Sequence, residues 1–185
     1  MSGRIVVESI DGRPFTIFAA NREPPQYLGF DPETDEPRNA YVLEWDVSPT
    51  AEKPLPVWWL IETDHPDCPV VDVWVRHIDN LPERVPGRPW RLQPQHFVLN
   101  GLAPEESAEF KVKVIKLGRD EIYSVHSLSK AFDAKLVSIE QDGEDAEATV
   151  RITPVAGHQG LLYGDIEFVS QAYFCKLTVI GTVLE

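Results

Sequence analysis

Wherever this chain forms a run long enough to show a period, apolar and polar residues alternate with a period of two. Tyr41, Leu43 and Trp45 stand against Val42, Glu44 and Asp46, and Phe110, Val112 and Val114 against Lys111 and Lys113. Successive side chains of a strand point to opposite faces, so each run makes one face to bury and one to leave in water. Sixteen prolines and eleven glycines keep the runs short, and no stretch of ten residues holds helical periodicity. Asp11-Gly12, Asn100-Gly101 and Asp142-Gly143 read as tight turns whose glycines take positive φ angles. The expected fold class is all-β, with helix confined to single turns.

One unit is written twice. Ile5 to Phe15 is matched by Ile122 to Phe132, Tyr41 to Asp46 by Ala148 to Thr153, and Val57 to Glu62 by Asp165 to Val169. Cys68 and Cys175 fall at corresponding places. The second copy carries about thirty residues in front, Pro89 to Glu121, with no counterpart before Ile5, so the first copy is expected to lack its opening strands. Domains of roughly 80 to 100 residues can each support a core. The expected boundaries are 1–79 and 88–185, with the Pro-rich segment 78–89, poor in backbone donors, as the linker.

The hairpin from Pro56 to His77 carries the candidate site. Val57, Trp59 and Ile61 with Val71, Val73 and Val75 form one apolar face, expected to be core. The other face holds Trp58, Leu60 and Glu62 beside Val70, Asp72, Trp74 and Arg76. If Glu62 pairs with Val70, Trp58 lies opposite Trp74 at about 5 Å between Cβ atoms, an aromatic platform flanked by Asp72 and Arg76. Such a platform suits a sugar ring or a protein partner; the alternative is that the linker, the neighbouring domain or the loop 21–39 covers it.

Charge and motifs remove function classes. The formal net charge is −13, and residues 1–79 alone hold 15 acidic and 6 basic side chains. Nucleic acid and anionic membrane both need a basic face, so neither is an expected partner. No stretch reaches the roughly 20 apolar residues of a membrane helix, and the residues after Met1 show no signal-peptide core. Two cysteines make no disulfide scaffold and leave the compartment open. Nucleotide-binding glycine loops, His-Glu-x-x-His, Gly-x-Ser-x-Gly and Cys-x-x-Cys are all absent. Asp64-His65-Pro66-Asp67-Cys68 packs four ligand-type side chains into five residues. A tight turn cannot converge them on one ion, and no metal or cofactor is expected. No carboxylate pair stands out as a hydrolase would require, so an enzyme is not expected.

The stretch Gly3 to Ile17, and Ile61-Glu62-Thr63-Asp64-His65-Pro66-Asp67-Cys68-Pro69 before a Val-rich strand, resemble bacterial immunoglobulin-like sandwich repeats related to the ASH and major-sperm-protein domains. Leu99 to Ser107 is similar to the polar turn before that family's second strand, and Gly160 to Gly181 to its closing hairpin. The resemblance implies two tandem immunoglobulin-like β-sandwiches, a Thr-Asp-His-Pro turn between the last two strands, and an exported or envelope-associated setting. The implied role is a non-enzymatic structural or protein-binding module, meeting a protein partner or itself through a β-edge. Carbohydrate binding by Trp58 and Trp74 is the alternative function, and a carboxylate hydrolase the third.

Overall fold

A computed structural model describes residues 2–47, 55–77, 87–171 and 173–184. The described residues form strands, turns and loops with no helix, and they divide into two compact units, Met1–Glu83 and Arg84–Glu185. Residues 78–86, most of the expected linker, lie outside the described residues.

The second unit is a complete sandwich. Its strands are β7 (Arg91–Gln93), β8 (His96–Val98), β9 (Ala108–Ile115), β10 (Ile122–Ser127), β11 (Phe132–Asp142), β12 (Asp145–Pro154), β13 (Gly160–Ser170) and β14 (Phe174–Val183). One sheet runs β11-β12-β9-β7 and the other β10-β13-β14-β8. Inward side chains from both sheets close a core in which Phe110, Val112, Val114, Phe132, Phe168 and Leu177 are almost wholly buried. The first strand is shared between sheets: β7 lies antiparallel on β9 and β8 parallel on β14. Pro94, which has no N–H to give a ladder, stands between them.

Among its described residues the first unit repeats this order without β7 and β8. β1 (Ser2–Glu8), β2 (Ile17–Ala20), β3 (Gln26–Tyr27), β4 (Ala40–Asp46), β5 (Trp58–Thr63) and β6 (Val70–Trp74) form the sheets β1-β4-β3 and β2-β5-β6. The pairings β1 with β4, β3 with β4, β2 with β5 and β5 with β6 reproduce those of β9 with β12, β11 with β12, β10 with β13 and β13 with β14. Both units therefore have immunoglobulin-like strand order. The counterpart of β1 is β9, not the Ile122 strand that the sequence match chose. Only β7 and β8, rather than thirty residues, lack a counterpart among the described residues of the first unit.

Three local expectations are corrected. Val57 is 40% exposed and outside the core, while Leu60 and Val70 on the opposite face of the hairpin are buried. Val71, Val73 and Val75 are only partly buried. Gly101 has no positive φ, and Asn100-Gly101 makes no hairpin. The chain instead continues beside β14, with Leu99 N donating to Ile180 O at 2.7 Å and Leu102 N to Thr182 O at 2.9 Å. A Cβ on Gly101 would lie 2.6 Å from the tip of the Leu184 side chain, which is exposed and can turn aside, so neither turn geometry nor packing demands glycine there. Cys68 precedes β6 whereas Cys175 lies within β14, so the two are not equivalent; both are free thiols.

Candidate functional site

All four residues singled out in the sequence lie on one face of the β5–β6 hairpin. Trp58 pairs with Trp74 across the strands, and their rings stack with centroids 6.2 Å apart and planes 29° from parallel. The Arg76 guanidinium sits 5.8 Å from the Trp74 ring centre, within cation–π range. Asp72 pairs with Leu60 and is partly buried. Trp74 is 52% exposed, whereas Trp58 is partly buried. The surface offers one open indole with a cation above it.

A second feature lies at the other side of the same unit, where β1 and β6 end their sheets. A cleft of about 320 Å³ opens there, lined by Val7, Phe15 and Val71 and by Asp11, Thr63 and His65. Its floor is fixed by two loops that hold each other. Asp64 accepts the Thr16 amide at 2.6 Å, and Thr63 Oγ1 donates to Cys68 O at 2.7 Å, so the Thr63-Asp64-His65-Pro66 turn is clamped both to itself and to the β1–β2 loop. Asp11 accepts from Ser9 Oγ and from the Arg13 amide at 3.0 Å, pairs with Arg13 at 2.9 Å, and meets His65 Nε2 at 3.3 Å. The Ser9 hydroxyl first and the Arg13 amide next hold its carboxyl well below the usual range.

Serine, histidine and aspartate meet here without making a catalytic relay. Ser9 Oγ and Asp11 Oδ1 both face Nε2 of His65, while its Nδ1 accepts the Asp67 amide at 3.3 Å. A relay needs the base to contact nucleophile and orienting carboxylate through opposite nitrogens. No group of three or more metal-ligating side chains occurs among the described residues. Among the described residues Glu62 is the carboxylate whose pKa is raised, by burial, with Arg22 partly opposing the shift. It sits on the hairpin's outer face, away from Asp11.

In the second unit the corresponding place is filled. Trp90, two residues ahead of Leu92 in β7, is 1% exposed. Its indole N–H is shared between Asp120 Oδ2 at 3.1 Å and Ser170 Oγ at 3.3 Å, and its ring meets Tyr173 edge-on at 5.1 Å. Those partners come from the β9–β10 loop, the end of β13 and the β13–β14 turn. In the first unit the same three places supply Asp11, Thr63 and the turn holding His65 and Cys68, which line the open cleft. The sequence reading missed it because Asp11 and His65 are far apart in the chain. The available signal was Trp90-Arg91-Leu92, an apolar alternation with no partner before Ile5.

No protein-family model matches the chain, and no curated protein matches it in sequence. Among solved structures, the PapD-like (ASH) domain 7 of human CEP192 overlays with a TM-score of 0.38 and 9% identity, covering 60% of this chain and 98% of that one. A protein of unknown function from Porphyromonas gingivalis gives 0.38 and 17%, covering 98% and 90%. Domains 4 and 5 of the S-layer protein SbsC give 0.32 and 18%, covering 71% and 68%. No helix among the described residues is long and apolar enough to cross a membrane.

Proposed function

We propose that the chain is a non-enzymatic protein-binding module whose first unit takes up its partner by strand addition. One observation carries the reading. β1 and β6 have no outer neighbour among the described residues, whereas their equivalents β9 and β14 carry β7 and β8. The consequence is measurable in burial. Val112, Val114, Leu177 and Val179 are fully buried, while Ile5, Val7, Val71 and Val73, which face the first core, stay partly exposed. An edge strand with no outer neighbour among the described residues, over half-covered apolar side chains, is a template for another strand. Extended peptides selected from a displayed library on the full chain test the reading. Selected binders should slow amide exchange in β1 or β6, and binders that protect only other surfaces would refute it. Placement in a bacterial envelope rests on the family resemblance and is tested by fractionating the native host.

A second reading, carbohydrate binding, is favoured by the exposure of Trp74 beside Trp58. Titration with soluble oligosaccharides should then quench tryptophan fluorescence in the full chain and not in Trp74→Ala.

A further inference from the structure

We infer that the cleft between β1 and β6 is an aromatic-anchor site, occupied by a tryptophan-bearing, basic-flanked strand of a partner protein; this rests on the strand-addition reading and adds what the strand must contain. The chain supplies its own template in residues 88–99. Leu92 of β7 pairs with Val114, the last inward residue of β9, and Trp90, two positions earlier on the same face, reaches past the strand end into its slot. Val7 is the last inward residue of β1, and the cleft begins there. A strand docked antiparallel to β1 in that register sets an aliphatic residue across from Val7 and delivers the side chain two residues earlier into the cleft.

The cleft suits an indole in volume and in polarity. About 320 Å³, open on one side, admits a bicyclic ring with room for the backbone that carries it. Phe15 lies edge-on to the His65 ring at 6.2 Å, leaving an aromatic wall as Tyr173 does for Trp90. Asp11 comes from the loop position of Asp120; its Oδ1 is taken by Ser9, the Arg13 amide and His65, and its Oδ2, shared with Arg13 Nε, is the oxygen that can accept an indole N–H. Charge selects the flanks. Glu8, Asp11 and Asp67 line the cleft, Arg13 pairs with the latter two without lining it, and the sequence of residues 1–79 is strongly acidic as a whole. In the template Arg88 and Arg91 bracket the tryptophan. A partner strand with that pattern is attracted, and an acidic one is repelled. The chain's own residues 88–99 are not the occupant, because Trp90 and Leu92 are already buried in the second unit.

The probe is a synthetic, dye-labelled peptide of residues 88–99 added to the full chain. Saturable binding is expected, with slowed amide exchange in β1 and β6 and slowed alkylation of Cys68, which lines the cleft, but not of Cys175. Replacing the peptide's tryptophan by alanine (Trp90→Ala in the peptide) should weaken binding about tenfold or more. Val71→Lys in the protein, checked for an unchanged first-unit melting transition, should do the same. Four outcomes would overturn the inference. Binding that ignores the tryptophan refutes the anchor while leaving strand addition intact. Binding without protection of β1 or β6, or no binding, refutes both. Protection confined to β9 and β14 means that the peptide replaces the native strand of the second unit. A chain that self-associates and is dispersed by the peptide makes a second copy the occupant.

Discussion

Replacing Trp90 by alanine would open in the second unit a cleft at the place where the first unit has one, and its cost measures what filling that place is worth. Trp90 is 1% exposed. A buried tryptophan removes roughly 150 to 250 Å² from water, about 4 to 6 kcal/mol at 25 cal/mol per Å² and an upper bound because unfolded chains are already partly collapsed. Mutational experience for tryptophan to alanine gives about 3 to 5 kcal/mol. The polar partners add little, since Asp120 still accepts the Glu121 amide and Ser170 still donates to Tyr173 O. For a unit of about one hundred residues, 3 to 5 kcal/mol lowers the melting temperature by roughly 15 to 30 °C. Thermal unfolding of the full chain, with the second-unit transition assigned by amide exchange, is the assay. Trp90→Phe should lose only about 1 kcal/mol, keeping the ring against Tyr173 but not the shared N–H bond, and millimolar indole should partly restore Trp90→Ala. A shift in Trp90→Ala below about 1 kcal/mol would show that the slot is not held by its occupant, and the comparison with the first unit would fall with it.

Trp59→Ala, which empties a site 6% exposed, should destabilise the first unit by about 3 to 5 kcal/mol in denaturant titration, while Trp74→Ala at the exposed end of the same hairpin should cost under about 1 kcal/mol. Tyr41→Phe should cost about 1 to 2 kcal/mol, because the hydroxyl donates to Phe15 O and accepts the Arg38 amide inside the core. The folded-state pKa of Asp11 is depressed, so its contribution to the first unit is present above the unfolded value near pH 4 and is lost as pH falls through the folded one. The first-unit denaturant midpoint should therefore fall between about pH 5 and pH 2 and fall less in Asp11→Asn; equal slopes in both proteins would refute the assignment.

Much of the fold was legible because it is local. Period two gave the strands, and pairing Glu62 with Val70 set Trp58 opposite Trp74, as observed. Burial on the hairpin was less legible. Val57 lies at the open end of its strand and Leu60 on the face expected to be mixed, and their exposures of 40% and 3% depend on what neighbouring chain covers each. The repeat was read one strand out of step for a related reason. Ile5 to Phe15 and Ile122 to Phe132 both run from an alternating strand to a phenylalanine, but Phe15 leads into β2 whereas Phe132 opens β11. Alternation says that a segment is a strand and not which strand it is; that identity is set by its neighbours across the sheet, Leu43 for Ile5 and Ala148 for Val112. The same step hid the cleft. Counting β1 as the match of β10 made a whole sheet edge look missing, whereas with the match to β9 only the split strand β7–β8 is without a counterpart among the described residues, and the place corresponding to that of Trp90 is bounded by Asp11, Thr63 and His65. A period shared by every strand cannot tell one strand from another, but two copies of a fold in one chain can, because the place that Trp90 fills in the second copy is the place of the cleft in the first.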